Sequence, residues 1–402
     1  MPRLLLPEFA PDSGPTNAIS YLMFLTQSRP RTLAEAIDSN NGFNLVRLIA
    51  ASLVLMYHCF SLNPVHPNTP DPLTYILAPV TNIGTIAVGV FFMISGIFIS
   101  RSWMHDPHLP RFFLRRIARI MPALFVCVML TTTVAVIFFS DSGASGLFSS
   151  GPWHYIFGNT VLHGLRTAVP PAELKIPAVL GGQDLNGPLW TLLWEGRMYV
   201  MLALIGAAAA MPMRIWLMVT SIFLLIATGL WPKVAAGYIW GLEMWPQFLT
   251  GILLFTIASQ VRIGARQLIC TLALAALGWT QWTINTSTGL TFFGASLICA
   301  AAALWLGSAR FQGKAFFQKH DYSYGVYIYH WPIILMLKTA IPSLNEITML
   351  LATLLIVLPL AMLSWHWVES PVLHFMRKKL RRPNREAVGA APATAETAAC
   401  AS

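Results

Sequence analysis

Charge is what this sequence has least of. Only 10% of its 402 residues are Asp, Glu, Lys or Arg, against about 25% in a soluble domain. With 56% of the chain hydrophobic, that scarcity excludes an ordinary water-soluble fold and points to lipid as the main solvent. Cysteine is sparse too: Cys59, Cys127, Cys270, Cys299 and Cys400 show no metal-ligand spacing, and four of them fall in apolar runs. No disulfide framework or metal site is expected from them. A cleavable leader is not expected, because the apolar piece 19–25 is short and polar sequence follows it. There is no internal repeat and no sign of an appended soluble domain.

What is present is a series of long apolar runs. A span needs roughly 20 predominantly apolar residues. Ten runs qualify, beginning near Phe43, Ile83, Ile120, Leu189, Met213, Val234, Gln267, Leu290, Tyr322 and Ile347. The expectation is an all-α, polytopic membrane helix bundle of about ten transmembrane helices. Every second connection is basic, including Arg101 to Arg119, Arg262 and Arg266, and the run Arg377 to Arg382. The positive-inside rule then places both termini in the cytosol. The net charge of +10 is explained by these clusters and by contact with anionic lipid, so no nucleic-acid partner is expected. Fourteen Trp and 27 each of Gly and Pro suit a membrane chain. Residues 1–40 read as a cytosolic extension, 41–376 as the transmembrane domain with a long outer loop at 141–188, and 377–402 as a basic, then disordered cytosolic tail.

Ionisable groups inside spans are costly and suggest function. Arg47 and His58 are eleven residues apart, close to three helical turns, so they share one face about 16 Å apart. Glu195, on the span that also carries Trp190, Arg197 and Tyr199, lies at roughly the depth of His58. An imidazole and a carboxylate at one depth suit acyl transfer, as base and orienter or as base and acid. A structural pair explains either residue alone equally well. Ser95-Gly96 permits a close backbone or a thin ligand, and ordinary helix packing explains it too. Arg116 and Arg119, in the run Arg111 to Pro122, could fork onto phosphates, although anchoring at the inner face accounts for that run as well. His330 falls mid-membrane beside Pro332, with Tyr324 nearby, as a supporting or cavity-lining residue. Glu369 is explained by pairing with the basic tail.

Six segments together resemble the acyltransferase-3 family of membrane-bound O-acyltransferases. They are Arg47 with His58, Phe91 to Gly96, Arg116 with Arg119, Trp190 to Glu195 followed by Tyr199, Ser323 to Pro332, and Glu369 to Pro371. Thr191 departs from the usual Ser, and Met198 from a common aromatic. The likeness covers most of 41–371 and corresponds to a stand-alone membrane domain without an appended hydrolase-like domain. It implies catalytic roles for His58 and Glu195, donor binding by Arg47, Ser95, Gly96, Arg116 and Arg119, and support from Trp190, Tyr199, Tyr324 and His330. It further implies acyl-CoA, commonly acetyl-CoA, as co-substrate with no permanently bound cofactor. The acceptor would be a hydroxyl of an extracytoplasmic or lipid-linked saccharide, such as lipopolysaccharide or exopolysaccharide, acted on from the cell inner (cytoplasmic) membrane. The alternative is a transporter of an acyl donor or glycan that does no chemistry. Oligomeric state stays open.

Overall fold

The structure, a computed structural model, describes residues 31–38, 42–63, 65–66, 69–77, 81–161, 184–230, 244–264 and 314–380, with isolated positions at 269, 273, 276 and 307. The runs expected near Gln267 and Leu290, most of that near Val234, the middle of the 141–188 loop and the tail beyond 380 lie outside the described residues. So do Cys270, Cys299 and Cys400.

The described chain is helical apart from one short pairing, in which β1 (Arg31–Thr32) runs antiparallel to β2 (Arg262–Ile263). α1 (Leu33–Asp38) follows β1 and buries Leu33 and Ile37. α2 (Phe43–Ser61) repeats buried residues at helical spacing, Val46, Ala50, Val54 and Leu55, and turns that stripe inward. After the short α3 (Pro72–Leu77) come α4 (Ile83–His105) and α5 (Leu109–Phe139). α6 (Ser150–Thr160) precedes α7 (Trp190–Ala207), α8 (Met213–Leu230) and α9 (Trp245–Thr256). The last elements are α10 (Lys314–Lys319), α11 (Ser323–Ala340), α12 (Glu346–Ser364) and α13 (Ser370–Lys379).

Among the described residues, four stretches are long and apolar enough to cross a bilayer: α2, α4, α5 and the continuous run Glu346–Lys379. α4 is the central one. It is apolar all round and 78% of its hydropathic window is buried, whereas Glu346–Lys379 is only 28% buried and turns residues such as Leu351 and Leu355 outward. That contrast fits a membrane protein, whose outer leucines meet lipid. Asn82 starts α4 by accepting the Thr85 N–H at 2.8 Å.

The closest crossing is α4 on α9. A Cβ on Gly96 would strike the Phe248 carbonyl oxygen, and one on Gly251 the Met93 carbonyl oxygen. The two glycines face each other and let backbones touch, the usual device for packing helices in lipid. α11 packs on both α12 and α2 and so brings their polar residues together.

Two boundaries differ from the sequence expectation. α5 begins at Leu109, eleven residues ahead of Ile120, because the arginine run is helical and not a loop. Arginine is a good helix former, and Pro110 occupies the first turn, where its missing N–H costs nothing. At the other end, Glu369-Ser370-Pro371, a triplet that reads in the sequence as the close of the last span, does not end the helix. A π-turn over Trp365–Glu369 absorbs the register, and the helix runs on to Lys379.

Candidate active site

His58, in the last turns of α2, hydrogen-bonds His330 of α11, with Nδ1 and Nε2 2.8 Å apart. The ring centroids are 5.1 Å apart and the planes differ by 5°. A nitrogen separation that short at that centroid distance makes the rings coplanar and edge to edge, not face-stacked. His330 is fully buried, and its Nδ1 lies 3.1 Å from the Val326 carbonyl oxygen. A carbonyl only accepts, so His330 Nδ1 carries the proton and its Nε2 is a lone pair. His58 Nδ1–H must then donate to it. The remaining nitrogen, His58 Nε2, is an unprotonated base. Trp331 stands perpendicular to His58 at 4.8 Å and fixes the ring from the side.

Below this pair lies a cavity of about 1150 Å³, running between α2, α4, α5, α7 and α11. Its mouth is at the basic end of the bundle, among His105, Arg115, Lys319, His374 and Arg377. There Arg111 donates to Asp106 at 2.7 and 2.8 Å and Arg115 at 2.6 Å. The bonds from Arg111, with those from Arg115, hold the Asp106 carboxyl well below the usual carboxylate range despite its burial.

Deeper in, Arg119 donates to Glu369 at 2.9 Å and to Asp321 at 2.6 Å, and its guanidinium faces the Tyr324 and Trp365 rings. Arg47 reaches the same Asp321 at 3.6 Å. Arg116 is different: it makes one long bond to Ser102 Oγ at 3.4 Å, and its buried Nε has no partner. One turn further on, Glu195 Oε1 accepts hydrogen bonds from Ser95 Oγ at 3.0 Å and from the Tyr199 hydroxyl.

The far end is lined by Val88, Phe91, Thr191, Leu192 and Tyr327. Phe91 and Tyr327 meet edge to face at 5.6 Å, and the Tyr327 hydroxyl lies 2.8 Å from Thr191 Oγ1. Tyr327 also touches the His330 ring, with centroids 5.9 Å apart. A single aromatic wall therefore separates the cavity from the histidine pair.

Of the residues singled out in the sequence, Arg47, Ser95, Arg116, Arg119, Glu195, Tyr199 and Tyr324 line this one cavity. His58 and His330 sit together beyond its far end. Gly96 faces α9, not the cavity, and Trp190 packs on the apolar core at the start of α7. The bonds of Glu195 run to Ser95 and Tyr199, and the partner of His58 is His330. Tyr324 donates to the Ile120 carbonyl at 3.0 Å and ties α11 to α5. Glu369 pairs with Arg119 and Ser364, not with the basic tail, since the π-turn carries its side chain inward. Asp321 was missed altogether. Its signal was an acid immediately ahead of an apolar run, the kind of residue that demands a buried cation.

Comparison with known proteins identifies the family. A family profile described as an acyltransferase domain matches residues 40–366. An O-acetyl transferase of Shigella phage Sf6 is 29% identical over 357 residues, spanning 86% of this chain and 99% of that protein. Nodulation protein 10 of Rhizobium leguminosarum bv. viciae is 26% identical over 362 residues, 83% of this chain and 93% of its own. No solved structure matches. The profile covers most of the chain, including the helices that carry both histidines and the cavity lining from Asn44 to Trp365 though not that from Ser370 to Leu380, and the chain belongs to the acyltransferase-3 family and is a membrane O-acyltransferase.

Proposed function

We propose that the chain transfers an acyl group, foremost acetyl, from cytosolic acyl-CoA to a hydroxyl of an extracytoplasmic or lipid-linked saccharide, working in the inner membrane. The observation that carries this reading is the orphan lone pair of His58 Nε2 at the head of a cavity whose opposite end is rich in cations. The basic end faces the cytosol by the positive-inside rule, where acyl-CoA is available. Lys319 and Arg377 suit the phosphates of the nucleotide, and Arg116 is the cation best placed to meet an anion inside the cavity, having no carboxylate of its own.

In the chemical step the acceptor hydroxyl gives its proton to His58 Nε2, and its oxygen attacks the thioester carbonyl. The tetrahedral intermediate collapses, breaks the carbon–sulfur bond and expels the CoA thiolate. The imidazolium returns its proton to that sulfur, leaving an ester and free CoA. The bond from His58 Nδ1–H to His330 holds the reactive tautomer and spreads the transient charge. Tyr327 must shift for the thioester to meet His58, since it lies between cavity and base.

The test uses inside-out membrane vesicles given acetyl-CoA labelled on the acetyl group, with wild type compared against His58→Ala. The expected outcome is alkali-labile label in a glycan fraction together with CoA release, both lost in the variant by a factor of about 10² or more. A wild type that releases no CoA from any acyl-CoA offered, though correctly inserted, sinks the reading and favours a transporter.

A further inference from the structure

Glu195 does not touch the His58 dyad. Its Oε1 is occupied by two hydroxyl donors, Ser95 and Tyr199. Its Oε2 makes no hydrogen bond or ion pair with any described residue, and it is not sealed inside the protein. A carboxylate with one saturated and one open oxygen, on the wall of a ligand cavity, is an acceptor waiting for a donor.

Depth identifies that donor. On α4, Ser95 is ten residues from His105 at the mouth, about 15 Å, and seven residues from Val88, the deepest lining residue on that helix, about 10 Å. On α7, Glu195 is four residues from Thr191, about 6 Å. The cluster therefore sits about one helical turn short of the end of the lining on α7 and about two short of it on α4, and the thioester must stop within that interval. In acyl-CoA, two methylenes separate the thioester sulfur from the first amide nitrogen of the pantetheine arm. That spacing is close to one turn.

Resting on the acyl-CoA reading above, we infer that Ser95, Glu195 and Tyr199 form a docking site for the amide N–H of the donor's pantetheine arm, with Glu195 Oε2 as the acceptor. Ser95 and Tyr199 aim the carboxylate by holding its other oxygen. The site sets how far the arm advances, and so places the thioester carbonyl at the wall beneath His58. Glu195 is thus a donor-positioning residue and not the partner of the catalytic imidazole.

The inference is tested with two small donors of equal reach. One is S-acetyl-N-acetylcysteamine, which keeps the amide. The other is its oxygen analogue, in which an ester oxygen replaces the N–H. Wild type is expected to prefer the amide donor by tenfold or more in kcat/KM, the scale of one hydrogen bond to a charged group. Glu195→Gln is expected to reduce that preference to within about threefold, raise KM for acetyl-CoA, and leave the pH profile of kcat unchanged. Ser95→Ala and Tyr199→Phe, which leave the carboxylate in place but unaimed, should weaken the preference partway, and they serve if Glu195→Gln does not fold. Equal use of both donors by wild type overturns the inference, as does a Glu195→Gln enzyme that keeps the preference. A Glu195→Gln enzyme that loses one limb of the pH profile at unchanged KM overturns it too, by returning Glu195 to the catalytic step. Failure of the acyl-CoA reading looks different: the wild type then transfers from no thioester.

Discussion

Four arginines within nine positions on and around one face of the cavity do three different jobs. Arg119 is spent on Asp321 and Glu369, two carboxylates that are 7% and 1% exposed, and it joins α5 to both ends of the α11–α12 hairpin. Removing it leaves Glu369 buried without a cation and Asp321 with only the longer contact to Arg47, at a cost of roughly 3–5 kcal/mol. Arg119→Ala is therefore expected to lose folded protein in a detergent thermal-shift assay. Arg116→Ala should fold normally and raise KM for the donor instead. Arg111 and Arg115 serve Asp106 at the turn between α4 and α5. Identical residue types three apart read alike in a sequence, and only their partners separate a structural cation from a ligand-binding one. The same holds for His58. Helical spacing suggests one rough depth for His58 and Glu195, but such a reading does not say which neighbouring helix faces each. α11 supplies His330 at that level, and α7 turns Glu195 toward α4. His330→Ala is expected to lower kcat by about tenfold or more with little change in donor KM, because it frees the tautomer that His330 selects. An unchanged kcat would remove His330 from the mechanism.

Among elements, α4 decides most. It is buried on nearly every side, and its small residues set how closely α9 approaches. Gly96→Ala and Gly251→Ala each press a methyl on a backbone carbonyl that has little freedom to retreat, an overpacking cost of about 1–3 kcal/mol. Gly158→Ala, in α6 with nothing near its added Cβ, is the control and should be neutral or slightly stabilising. Lower melting temperatures for the first two, with the third unchanged, would identify the crossing as the sensitive joint. Several element boundaries were legible in the residues: α4 begins at Ile83 and α8 at Met213, where the apolar runs begin. The start of α5 was not, because hydropathy reads an arginine run as a loop while its backbone is content to be helical. Nor was the π-turn, since Glu369-Ser370-Pro371 carries the usual marks of a helix boundary. What overrides them is the buried bond from Arg119 to Glu369, a tertiary contact with no trace in local sequence.

At the scale of the whole molecule, the cationic mouth and the histidine pair lie at different depths of one bundle, so the orientation of the chain matters to its chemistry. With Asp184 replaced by cysteine in a background free of accessible thiols, an impermeant maleimide should label intact cells. With Arg377 replaced by cysteine, label should appear only after the inner face is opened. The reverse pattern would place the cationic mouth outside and away from any cytosolic thioester.

The wall formed by Phe91, Thr191 and Tyr327 has one more consequence. A cavity lined by charged side chains that opens on one face of an energised membrane is a short circuit in waiting, and the protein must hand over an acyl group without discharging the proton gradient around it. The wall is then an insulator as much as a floor for the donor. Trimming it, as in a Phe91→Ala, Tyr327→Ala double variant, should raise the ion conductance of proteoliposomes even when no substrate is present, and a membrane that stays tight would place the seal elsewhere in the chain.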